Sequence, residues 1–155
     1  MENRGKQFEA KFKADFLKLP EVSLDRLYDP VGQYLGVRNI CDMIGYHYPN
    51  IFYIELKSSH GNTWPFSAYS QYEKMLPKVG IKGVRAGVVL WMVDHDKVVY
   101  LPTKTIQGMI ANNKKSFNMK DIEKGEYRII EIPSDKRRVF LDSDYSVLFN
   151  LEEGD

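Results

Sequence analysis

One cysteine, three histidines and no long apolar run set the first limits on this chain. The single Cys41 cannot close an internal disulfide and fits a reducing compartment, where it reads as a small buried hydrophobe rather than a nucleophile. No pair of cysteines or histidines has the spacing of a zinc site. The longest apolar stretch, Ala86–Val93, is too short to cross a membrane and suits a buried strand. There is no internal repeat, low-complexity tract or flexible linker. The opening Met1-Glu2-Asn3-Arg4-Gly5-Lys6 runs straight into a charged amphipathic pattern rather than a secretory leader. A cytoplasmic protein is expected. Net charge of one sign is also nearly absent, at +1. That small sum hides a basic start, with Arg4, Lys6, Lys11, Lys13 and Lys18 before Leu19, and an acidic end at Glu152-Glu153-Gly154-Asp155. A basic stretch suits a nucleic-acid partner, and a solvated helix face explains it equally well.

What is present suffices for one folded domain spanning 1–155: 155 residues, 43% of them apolar and 13% aromatic. Phe8, Phe12 and Phe16 recur every four residues and predict a helix over Asn3–Leu19, stopped by Pro20. Val22–Tyr28 reads as a first strand, with Leu24, Arg26 and Tyr28 alternating against their neighbours. Arg38–Ile44 and Ile51–Lys57 read as a hairpin across a turn at Gly45–Asn50. Ser58–Thr63 reads as a polar loop and Ser67–Leu76 as a helix ended by Pro77. Ala86–Val93 and Lys97–Leu101 read as paired strands about the turn Asp94-His95-Asp96. Thr103–Ala111 and Met119–Lys124 then read as short helices, and Tyr127–Ile132 and Arg138–Leu141 as late strands. This order fits an α/β layer fold with a central mixed sheet flanked by helices.

Chemistry concentrates at Glu55-Leu56-Lys57, thirteen residues after Asp42. Residues i and i+2 of a strand share a face, so Glu55 and Lys57 point one way while Ile54 and Leu56 enter a core. A hairpin places Asp42 beside Glu55. Two carboxylates suffice for a hard cation such as Mg²⁺, with the Leu56 carbonyl as a natural third ligand. Such an ion activates water and offsets charge on a phosphodiester. Lys57 can bind the phosphate or position the attacking water. Gln71 can orient water or phosphate, and Glu9, one step off the phenylalanine stripe, can add a water-mediated ligand. Taken alone, Glu-x-Lys on a strand is usually a surface ion pair of little energetic value.

The order of motifs says more. An acid, a turn, then Glu-x-Lys inside an apolar strand resembles the PD-(D/E)XK nuclease signature. Asn3-Arg4-Gly5-Lys6-Gln7-Phe8-Glu9 resembles the opening helix of the RecU-type Holliday junction resolvases. Asp42, Gly45 and Tyr53–Lys57 are similar to that family's core, followed by Thr63-Trp64-Pro65-Phe66, then Tyr69, Gln71 and Met75. The resemblance covers about residues 3–102, with 103–155 as a C-terminal extension of the same domain. It implies a restriction-endonuclease-like fold, with catalytic Asp42, Glu55, Lys57, Gln71 and Glu9, and with Mg²⁺ (Mn²⁺ substituting) on Asp42 and Glu55. It also implies a homodimer that nicks a four-way DNA junction in pairs. Arg4, Lys6, Lys13, His60 and Asn62 are the candidate DNA contacts. The family's long basic stalk has only Tyr28–Arg38 available here. That compactness suggests a phage or mobile-element version acting in a bacterial host. A restriction-type or repair nuclease cutting duplex DNA, and a non-catalytic DNA-binding protein on this scaffold, are the alternative readings.

Overall fold

The computed structural model describes residues 4–28 and 39–155. The expected stalk region therefore lies, apart from Tyr28, outside the described residues, as do Asn3 and the turn that begins at Asp29. Helix α1 (Arg4–Phe16) buries Phe8, Phe12 and Phe16 along one side. It ends before Leu19 because Leu19 N–H donates to the Phe16 carbonyl at 3.1 Å, a three-residue bond that tightens the chain into a turn.

Six strands form the main sheet: β1 (Val22–Arg26), β2 (Met43–His47), β3 (Asn50–Ser59), β5 (Val84–Met92), β6 (Lys97–Pro102) and β8 (Ile130–Ile132), in the order β1-β2-β3-β5-β6-β8. The β3–β5 pair is parallel and the other four are antiparallel, so the sheet is mixed. On one face, α1 packs with Phe52, Ile54, Leu56, Val89 and Trp91 of the sheet. On the other lie α2 (Tyr72–Met75), α3 (Thr103–Ala111) and the small pair β4 (Thr63–Pro65) with β7 (Ser116–Asn118). Helix α4 (Lys120–Lys124) follows β7, and β9 (Ser134–Lys136) pairs with β10 (Leu141–Ser143). Burial on both faces explains the unbroken apolar run in β5.

Several boundaries differ from the sequence reading. Gly45 is not in the turn. It sits inside β2, paired with Phe52 on β3, where a Cβ would come within 3.3 Å of the Phe16 ring, and the turn is made by Tyr48 and Pro49 through a cis peptide. The helix expected over Ser67–Leu76 is instead a 3-10 turn (Phe66–Ala68), the one-turn α2, and a second 3-10 turn (Leu76–Lys78). The late strands shrink to three residues each. Residues beyond 102 pack onto this sheet and its core. Strand β8 extends the sheet, and Leu141, Tyr145, Leu148 and Leu151 join the α1 core.

An ion cluster centred on the buried Asp15 pins this C-terminal segment to α1. The Asp15 side chain, 2% exposed, accepts from Lys11 Nζ at 2.8 Å and from the Ser143 N–H at 3.0 Å. Lys11 also reaches Asp142 at 2.6 Å, and Arg137 meets the same carboxylate at 2.6 Å. Asp15→Ala leaves Lys11 with Asp142 alone and takes the acceptor from the Ser143 N–H. It is expected to cost about 2 kcal/mol in urea denaturation.

Candidate active site

The site forms where the chain enters β2 beside β3. Asp42 N–H donates to the Ile54 carbonyl at 3.1 Å, and its own carbonyl accepts from Leu27 N–H at 2.8 Å. Its Oδ2 accepts from Leu56 N–H at 2.8 Å. These bonds fix the Asp42 carboxylate next to Glu55. Ile54 and Leu56 are buried against the α1 core, so strand alternation turns Glu55 and Lys57 to the opposite face. Glu55 is 2% exposed, and its Oε2 lies 3.7 Å from Lys57 Nζ. Its Oε1 is buried with no hydrogen-bond partner among the described residues. Burial, then the adjacent Asp42 carboxylate, push Glu55 up to about 8, against the pull of Lys57. The neighbouring Cys41 is buried and bonds the Met43 carbonyl through its thiol, and burial pushes that thiol up to about 12, as suits an inert packing residue.

The structure unites Asp42, Glu55 and Lys57. It distributes the remaining candidates differently. Glu9 is held by Arg26 through two bonds, Nε to Oε2 at 2.9 Å and Nη2 to Oε1 at 3.1 Å. Arg26 Nη1 also donates to the Asp42 carbonyl at 3.3 Å and to the Leu27 carbonyl. Arg26 thus ties Glu9 to the backbone that carries Asp42, a role the sequence reading misses. Its alternation with Leu24 and Tyr28 is the available signal. Glu9, Arg26, Lys6, Lys13, Tyr28 and Met43 line a cleft of about 530 Å³. Arg4 stands apart, with its guanidinium 5.9 Å from the Trp91 ring centroid. Gln71 precedes α2 and accepts a 2.7 Å bond from Ser70 Oγ rather than bonding either acid. His60 and Asn62 clasp the β5–β6 turn. His60 Nδ1 lies 3.2 Å from Asp94, Gly61 N–H donates to Asp94 at 2.6 Å, and His95 Nε2 lies 2.7 Å from Asn62 Oδ1. Trp64 and Tyr69 are core residues and Tyr72 is half-buried.

The donor set fits a divalent cation. An unpartnered buried carboxylate oxygen beside a second carboxylate is the arrangement a hard ion satisfies, and Mg²⁺ takes one or two carboxylates and completes its shell with water. No cluster of three His, Cys, Asp or Glu side chains suited to a metal occurs among the described residues, so backbone carbonyls and waters would supply the remaining ligands.

The mixed six-stranded sheet flanked by helices is a restriction-endonuclease-like fold. It is similar to that of Archaeoglobus fulgidus Hjc, a Holliday junction resolvase from an archaeal hyperthermophile, with a TM-score of 0.50 and 19% sequence identity over 65% of this chain and 78% of that one. No protein-family model and no curated protein matches the sequence. No helix among the described residues is long and apolar enough to cross a membrane.

Proposed function

We propose that this chain is a divalent-metal-dependent endonuclease that resolves four-way DNA junctions by paired nicks, working as a homodimer in the cytoplasm. The observation that carries the reading is the buried Glu55, its Oε1 without a partner among the described residues, set between Asp42 and Lys57. The likeness to a resolvase fold directs that chemistry toward DNA branches. Asp42 and Glu55 would hold Mg²⁺, with Mn²⁺ as a substitute. When bound, the ion supplies Lewis acidity and charge neutralisation at a phosphodiester. Lys57 donates to a non-bridging phosphate oxygen or holds the attacking water. Arg26 and Glu9 keep the Asp42 backbone against β3. Lys6 and Lys13 in the cleft would meet phosphates, and Gln71, His60 and Asn62, on the segments that follow β3, are the further candidate contacts. Phosphate contacts of this kind make binding salt-dependent and leave recognition to the shape of the branch.

An immobile four-way junction and a matched linear duplex, incubated with Mg²⁺, test the proposal. Symmetric nicks in the junction and an intact duplex are expected. Equal cutting of both would replace the resolvase reading with a duplex nuclease. Junction binding without cleavage in Mg²⁺ or Mn²⁺ would leave a non-catalytic binding protein. Lys57→Ala is expected to slow cleavage by about 10²–10³-fold while junction affinity changes little.

A further inference from the structure

Among the described residues, the sheet face that carries Glu55 is only partly covered. Register assigns it three successive rows across β2, β3 and β5: Asp42 precedes β2 beside Glu55 and Val88, then come Ile44, Tyr53 and Ala86, then Tyr46, Ile51 and Val84. Rows two residues apart are separated by about 7 Å. Away from the catalytic row the face opens to solvent. Tyr46 is 44% exposed, and Tyr48, just past the end of β2, is 77% exposed. The 81–83 turn closes this end, since Ile51 N–H donates to the Gly83 carbonyl at 2.8 Å, and it presents the exposed Ile81 and Lys82. Lys78 Nζ lies 4.9 Å from the Tyr53 ring centroid. On the β1 side, Ser23 and Asp25 border the same rows, and Asp25 sets an acidic limit there.

The exposed rings of Tyr46 and Tyr48, with Lys78 seated on the half-buried Tyr53 between them and the Glu55 row, match the chemistry of an unpaired nucleic-acid strand: bases stack on the exposed rings and phosphates meet the ammonium groups. A duplex offers its phosphates but keeps its base faces stacked internally. We propose that the exposed Tyr46 and Tyr48 form a stacking platform for an unpaired stretch of DNA leading to or from the bond at Glu55. The inference rests on the nuclease reading of Asp42, Glu55 and Lys57, and it adds which part of the DNA the neighbouring surface holds.

Labelled oligo-dT and a blunt duplex of equal length, titrated in EDTA so that nothing is cut, provide the test. The doubly substituted protein Tyr46→Ala/Tyr48→Ala, checked for native folding by circular dichroism, is expected to lose about tenfold or more in oligo-dT affinity, with duplex affinity within about twofold of wild type. Tyr46→Phe/Tyr48→Phe should keep the wild-type affinity, because stacking needs the ring and not the hydroxyl. Unchanged oligo-dT binding in the alanine variant, an equal loss on duplex, or no oligo-dT binding by wild type would each overturn the platform. Sedimentation of both proteins tests the other occupant of such a face: a dimer that becomes monomeric in the alanine variant at constant oligo-dT affinity assigns the surface to a second copy of this chain. Tyrosine-dependent oligo-dT binding by a protein that cuts no junction would retain the platform and sink the resolvase. Junction cutting with oligo-dT affinity insensitive to the tyrosines would do the reverse.

Discussion

Glu55→Gln is expected to abolish cleavage and, in metal-free buffer at pH 8 or above, to make the protein more stable than wild type. Both effects have one source. The Glu55 carboxyl is buried beside Asp42, and this environment favours its neutral form. Its ordinary value is 4.5 and its folded value is about 8. Between these limits the folded protein holds a proton that the unfolded chain has released. Stability therefore falls as pH rises from about 4.5 to about 8, is unaffected by this group below that window, and carries the full penalty above it. A shift of this size corresponds to a few kcal/mol on the order-of-magnitude scale of one pH unit per ~1.4 kcal/mol. The substituted amide cannot ionise and keeps the shape of the side chain. The variant's melting temperature in EDTA at alkaline pH should exceed the wild type by roughly 5–10 °C. At pH 4 the two should coincide. Mg²⁺ should raise the wild-type value more than the variant's, because the variant keeps Asp42 but has lost the buried carboxylate that recovers its desolvation cost from a cation. A variant that cuts at the wild-type rate would remove Glu55 from the site. A variant no more stable at pH 8 than wild type would remove the buried-charge argument.

Much of this site is legible in the sequence because it is local. Strand alternation places Glu55 with Lys57, and an antiparallel neighbour brings Asp42 within reach even though the turn lies further along than the sequence suggests. Glycine usually marks a turn, which is why the sequence reading puts Gly45 in one, whereas its missing Cβ admits Phe16 against the sheet. The true turn uses Tyr48 and Pro49. Tyr69, Tyr72 and Met75 carry helical spacing, but Pro65 and Pro77 bracket the segment, and it breaks into 3-10 turns around a single α turn. Spacing sees one element at a time. Arg26 and Glu9 lie seventeen residues apart on a strand and a helix, and Asp94 lies thirty-four residues from His60. Such pairings exist only once the sheet order is set. The same holds for Leu141, Tyr145 and Leu148, whose short stretches of chain carry no spacing that assigns them to the α1 core.

Gly87→Ala is expected to be strongly destabilising, through packing alone, because its added Cβ would make the closest approach of any among the glycines described. Gly87 sits within β5, paired with Ile54 on one side and Pro102 on the other. A Cβ there would lie 2.6 Å from the Leu101 carbonyl oxygen and 2.7 Å from the Tyr100 ring. The carbonyl is backbone and cannot step aside without disturbing the β5–β6 pairing. Tyr100 is fully buried, and its hydroxyl donates to the Asp155 carbonyl at 2.7 Å. A central strand normally loses stability by carrying glycine, so its presence here reflects close approach rather than flexibility. Overpacking of this kind costs about 3 kcal/mol when neither neighbour can yield. Urea denaturation should therefore show a lower midpoint with an unchanged slope. Because β5 lies directly beside the Glu55 strand, surviving folded protein should also cut more slowly, as Val88 no longer holds its place opposite Glu55. Wild-type stability in Gly87→Ala would mean that the β5–β6 pair has room the structure does not give it.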